Sequence, residues 1–135
     1  MEIVILFIFF LFGTLLVNRF GAYKLHDMEN YDSTNSRNSK AKTITGVLRR
    51  KTGFDWHHIH FGIVLLLAVI PCTIFFGLTK LLTILLAIGL SMVADQITPL
   101  IDRKSNYFSR EKLLISVMFH IILVIAFLIL RINFS

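Results

Sequence analysis

The stretch from Ile59 to Leu100 reads IHFGIVLLLAVIPCTIFFGLTKLLTILLAIGLSMVADQITPL. Two apolar runs, Ile59–Leu78 and Leu81–Leu100, are separated only by Thr79 and Lys80. Each is close to the roughly 20 residues a helix needs to cross a hydrocarbon core of about 30 Å. The stretch therefore predicts two consecutive membrane helices joined by a tight turn. His60, Pro71, Asp95, Gln96 and Pro99 are the residues that interrupt its apolar character.

The rest of the chain agrees. Of its 135 residues 56% are hydrophobic and only 16% are charged, whereas a soluble domain carries about a quarter of its residues as Asp, Glu, Lys and Arg. That composition excludes a soluble enzyme, a disordered tail and a disulfide scaffold. The single cysteine, Cys72, lies inside an apolar run and cannot form a bridge within the chain. Ile3–Val17 and Leu113–Leu130 supply two further apolar runs. The first is about 22 Å long as a helix, and Phe20 and Tyr23 can extend it while Arg19 snorkels outward to the headgroups. Met1-Glu2 brings no positive charge and no small-residue cleavage site follows, so this run reads as a retained helix rather than a signal peptide. The expected fold is all-α: a four-helix transmembrane bundle forming one integral membrane domain over residues 1–135. Its helices are expected at about 3–20, 57–78, 81–101 and 111–131, with a long connection over about 24–54.

Basic residues orient the bundle. Arg19, Lys24, Arg37, Lys40, Lys42, Arg49, Arg50 and Lys51 precede the second helix, and Arg103, Lys104, Arg110 and Lys112 lie between the third and fourth. Only Lys80 and Arg131 fall on the opposite side. The positive-inside rule predicts both basic connections in the cytoplasm and both termini outside, in a multi-pass protein of the cell membrane. Residues 26–43 are polar and read as a flexible loop. Ile44, Val47 and Leu48 beside Arg49, Arg50 and Lys51 fit a short interfacial helix on anionic inner-leaflet headgroups, with Phe54 and Trp56 at interface level. A loop that only sets topology fits equally well. Membrane lipids are the expected partners and nucleic acid is not, since no stacking platform or recognition motif accompanies the charge.

Ionisable groups inside a bilayer are rare and are functional candidates by default. Three helices are expected to bring such groups to one leaflet: His57 and His60 on the second, Asp95 and Asp102 on the third, His120 on the fourth. Ser91, Asp95, Thr98 and Asp102 follow i, i+4, i+7, i+11, a polar stripe on an apolar rod. Ser116 and His120 share a face at i, i+4, while Glu111 falls on the opposite side. Asp55 suits an N-cap of the second helix, and Gly62, Gly77, Ala87 and Gly89 suit close packing. Imidazole and carboxylate together are the usual ligands of a divalent transition metal such as zinc, iron or manganese. His57, His60, Asp95 and Asp102 form the expected metal set, with Asp95 and His120 as acid–base groups. The same groups also suit pairing between helices with no metal at all.

The string His57-His58-x-His60-x-Gly62, followed by Asp95 late in the next helix, resembles small uncharacterised prokaryotic polytopic membrane proteins with an H-H-x-H-x-G helix entrance. Where those have an Asp-Glu pair, this chain has Asp95-Gln96. The resemblance implies a shared polar site and brings no activity with it. Three functions stay open: a metal or acid–base site acting on a lipid or other inner-leaflet substrate, an accessory subunit of a membrane complex, and an ion or proton pathway through an oligomer.

Overall fold

A computed structural model of the chain describes residues 1–35, 58–101 and 110–133. These form four helices, α1 (Glu2–Asn35), α2 (His58–Phe76), α3 (Lys80–Ile101) and α4 (Arg110–Asn133), with no strand among the described residues. Each contains a stretch long and apolar enough to cross a membrane: Glu2–Gly21, Ile59–Phe76, Lys80–Ile97 and Arg110–Ile132. This is the architecture of a polytopic membrane protein.

α1 runs further than its apolar part. It continues to Asn35, so residues 24–35 are helical rather than part of the expected loop. The apolar span supplies the helix nucleus, and extending an existing helix is far easier than starting one. From Ala22 to Asn35 there is no glycine or proline to stop it, and Lys24, Leu25, Met28 and Glu29 are good helix formers. The expected interfacial helix near Ile44–Lys51, the cap at Asp55, and Phe54 and Trp56 lie outside the described residues.

The α2–α3 turn is three residues long and built by local chemistry. Gly77 adopts φ +74°, the left-handed conformation that ends helices and that glycine adopts without strain. A Cβ there would meet nothing within 4 Å, so Gly77 is a helix terminator and not the packing position its sequence suggested. Thr79 then starts α3: its Oγ1 accepts from the Leu82 amide at 3.3 Å, capping the first turn.

α3 is the hub. It touches α1, α2 and α4; α1 also touches α4, whereas among the described helices α2 packs on α3 alone. The α2–α3 seam depends on glycine. A Cβ on Gly62 would stand 2.9 Å from Met92 Cβ and 3.0 Å from the Gly89 carbonyl, and one on Gly89 would stand 2.9 Å from Leu66 Cδ2. On the other side of α3, Ala87 joins Phe7, Leu11 and Phe127 in the apolar core. The Phe7 and Phe127 rings stack at 3.9 Å with 2° between their planes. α1 and α3 run parallel, as the exposed Lys80–Glu2 ion pair at 2.6 Å fixes at one end. Such a pair contributes at most about 1 kcal/mol. Large apolar side chains cover the outside, among them Phe9, Val17, Leu67, Phe75, Met118 and Ile132. In water that surface would aggregate; against acyl chains it is matched.

Gly62→Val and Gly89→Val should each force α2 away from α3, with an expected loss of about 1–3 kcal/mol. Unfolding by SDS titration in mixed micelles measures it. Gly13, where an added Cβ meets nothing, provides the control: Gly13→Ala should be neutral or stabilising by up to about 1 kcal/mol.

Candidate functional site

The two faces of α3 have opposite characters. Gly89, Met92 and Val93 meet α2. At 100° per residue, Asp95 lies about 120° and Ser91 about 160° round from Gly89, on the side turned to α1 and α4. Ser91 and Asp95 are fully buried there, and so are Ser116 and His120 on α4. Both pairs are spaced i, i+4, so two antiparallel helices present two polar residues each at matching heights.

They join as rungs. Ser116 Oγ donates to Asp95 Oδ1 at 3.1 Å. One turn deeper, Ser91 Oγ and His120 Nε2 are 2.9 Å apart. The rungs are linked along α4, where His120 Nδ1 donates to the Ser116 carbonyl at 2.7 Å. α1 closes the top: Arg19 Nε donates to the same Asp95 Oδ1 at 2.8 Å, with 12% of the Arg19 side chain exposed and none of Asp95. The result is one connected polar ladder, Arg19–Asp95–Ser116–His120–Ser91, spanning three helices.

Its depth follows from helix rise. Asp95 is fifteen residues from Lys80, about 22 Å along the axis and so about 8 Å inside the far edge of a 30 Å core. Below Ser91 the next turn of α3 is Ala87, where the Phe7–Phe127 stack and Leu11 close the interior. Thr83, two turns below, donates its hydroxyl to the Thr79 carbonyl at 2.8 Å. The ladder therefore enters from one end and stops against an apolar plug.

Arg19 is the correction of greatest consequence. Sequence alone sent it outward to the headgroups; the structure turns it inward onto Asp95. A guanidinium cannot shed its proton, so at this depth its charge has to be met by another, and a bonded carboxylate does that. A signal was available: Arg19 is seventeen residues from Glu2 and Asp95 fifteen from Lys80, which places both at one height in parallel helices. Lys112, counted by sequence with the loop charges, is also buried, one turn from Ser116 on the same face of α4.

Of the residues expected to act together, Asp95 and His120 are brought into one network through Ser116. Glu111 is exposed, as its helical phase predicted. His60 is carried by α2, which among the described helices packs on α3, while Asp95 lies on the face of α3 turned to α1 and α4. In place of a histidine, Arg19 and Ser116 occupy Asp95 Oδ1. His57 and Asp102 lie outside the described residues. Among the described residues, no three or more His, Cys, Asp or Glu side chains gather as a metal ion would require.

No family model, curated protein or solved structure matches this chain.

The geometry of the ladder constrains its chemistry. A carbonyl oxygen only accepts, so the bond to Ser116 requires the hydrogen of His120 on Nδ1. In the neutral ring Nε2 is then the acceptor and Ser91 the donor. Ser91 and His120 thus stand as a nucleophile–base pair would. Yet acyl transfer also needs donors aimed at a developing oxyanion. Ser91 lies in the interior of α3, where backbone amides are taken up by the helix. The arrangement suits pairing of helices better than attack on a substrate.

Removing one partner of a buried ion pair strands the other. Asp95→Ala should destabilise the fold by about 3–5 kcal/mol. The double variant Arg19→Leu, Asp95→Leu should recover part of that loss, because neither half of the pair is then left behind. SDS titration of the single and double variants decides it.

Proposed function

We propose that this chain is a non-catalytic, multi-pass subunit of a larger assembly in the cell membrane. Its polar ladder fastens α1, α3 and α4 into one unit, and its apolar outer faces meet lipid and partner helices. The main support is that Ser91, Asp95, Ser116 and His120 are fully buried and bonded to one another, which leaves none of the four turned toward a substrate. Interhelical bonds of this kind are how membrane helices associate where lipid is as apolar as the helices themselves. In this reading the basic connections face the cytoplasm, and anionic headgroups hold them there.

The other two functions fit less well. A metal-dependent site would have to draw on His57 or Asp102, beyond the described residues. An ion or proton route through an oligomer would have to run between copies, because within one bundle the Phe7–Phe127 stack lies across the interior with Leu11 and Ala87.

Purification of tagged protein from its native membrane is the test. Other membrane chains should accompany the wild type and be lost from Asp95→Ala, and elemental analysis should find no stoichiometric transition metal. A metal near one per chain that disappears in Asp95→Ala would overturn the proposal in favour of a metal site. Orientation is checked separately in a Cys72→Ser background. A cysteine at Ser39 should react with an impermeant maleimide only after the membrane is opened, and one at Ser135 without opening.

A further inference from the structure

We infer that His120 is a proton-binding site that couples the docking of α4 on α3 to pH, a regulation of the same ladder and therefore dependent on the reading above. The basis is the asymmetry of its two ring nitrogens. Nδ1 faces the Ser116 carbonyl at 2.7 Å and carries its hydrogen whether the ring is neutral or charged. Nε2 is then the one atom where a proton can come and go. It faces Ser91 Oγ at 2.9 Å, and a hydroxyl can either donate or accept.

The step balances with hydronium as the proton donor. In the neutral ring the Ser91 hydroxyl donates to Nε2. A hydronium ion gives its proton to the Nε2 lone pair, its O–H bond breaking to leave water, and Nε2–H then donates to Ser91 Oγ. The Ser91 hydroxyl hydrogen turns to the Ala87 carbonyl, one turn back on α3, as serine does within helices. One N–H bond forms and one O–H bond of the hydronium breaks.

The charges around the ring give this step its consequence. From α3 the ladder presents Asp95, and from α1 it presents Arg19 bonded to Asp95. On α4 itself Lys112 is buried two turns away, while Arg110 and Glu111 are exposed. α2 does not touch α4. Glu2 and Lys80 pair at the other end of the bundle. Arg131 lies eleven residues from His120, about 16 Å along α4. Arg19 and Asp95 offset each other, so the added proton places a positive charge on a fully buried ring. Separation of α4 from α3 relieves it. The proton arrives from the Asp95 side, because the Phe7–Phe127 stack closes the other.

Two measurements on the full chain in lipid nanodiscs test this. In protein labelled with ¹⁵N-histidine, the His120 ring should keep its hydrogen on Nδ1 throughout and gain one on Nε2 as pH falls from about 9 to about 4. Amide exchange in α4, corrected for intrinsic rates and referred to α2, should quicken at least about tenfold over the same range. In His120→Asn that pH dependence should vanish. A ring that does not titrate, a hydrogen found on Nε2 instead of Nδ1 in the neutral form, or α4 amides that track those of α2 would each overturn the inference. Should His120→Asn fail to fold, Ser91→Ala removes the Nε2 partner alone, and the wild-type spectra still decide. A ladder without structural importance would instead show as an undamaged Asp95→Ala fold, so the two failures are distinguishable.

Discussion

A guanidinium held inside hydrocarbon by a carboxylate is the constraint on which this structure depends. Each member alone would be a charge without water or counter-charge, one of the most costly states a membrane helix can contain. Together, Arg19 and Asp95 are bonded at 2.8 Å, and each charge offsets the other. The requirement is mutual, so it acts over a distance. α1 can keep Arg19 below the headgroups only if α3 stands beside it at the right height. α3 can bury Asp95 only if α1 does the same. The ion pair therefore sets the register of two parallel helices that have no loop between them.

The magnitudes show which part of the ladder matters. A hydrogen bond between membrane helices contributes about 0.6 kcal/mol on average, whereas leaving one half of a buried ion pair alone costs about 3–5 kcal/mol. The Ser116 and Ser91 hydroxyls therefore orient more than they stabilise. Ser116 aims the Asp95 carboxylate, and Ser91 occupies the inner nitrogen of the imidazole. On the opposite side of α3, the Gly62–Gly89 seam works by dispersion and close approach alone. One helix thus holds its neighbours by two unlike means, polar toward α1 and α4 and steric toward α2.

The four spans were legible in the sequence, because length and apolarity decide a membrane span and neither needs tertiary information. The far end of α1 was not. A polar composition describes how little surface residues 24–35 can bury, but says nothing of a helix already nucleated in the span before them. Half of the site was legible. The stripe of Ser91 and Asp95 and the shared face of Ser116 and His120 are properties of single helices and follow from a 100° step. Pairing between helices is not such a property. Periodicity gave no means of choosing His60 or Arg19 as the partner of Asp95, and a metal-binding vocabulary favoured the histidine. Depth would have chosen correctly, since Arg19 and Asp95 are nearly equidistant from Glu2 and Lys80.

The length of the ladder bears on what the protein can do. Residues 83, 87, 91 and 95 of α3 lie along one face, and all four are buried. Three of them are polar, which on sequence alone suggests a track through the membrane. The exception is Ala87, and it coincides with the Phe7–Phe127 stack and Leu11. Thr83 does not restore continuity, because its hydroxyl is turned back onto the Thr79 carbonyl of its own helix. A hydroxyl serving its own backbone passes nothing to a neighbour three or four residues on. Among the described residues the connected polar ladder is thus confined to the end of the bundle where Arg19 stands. A proton reaching His120 can leave only by the way it came, which is the behaviour of a sensor rather than of a conduit.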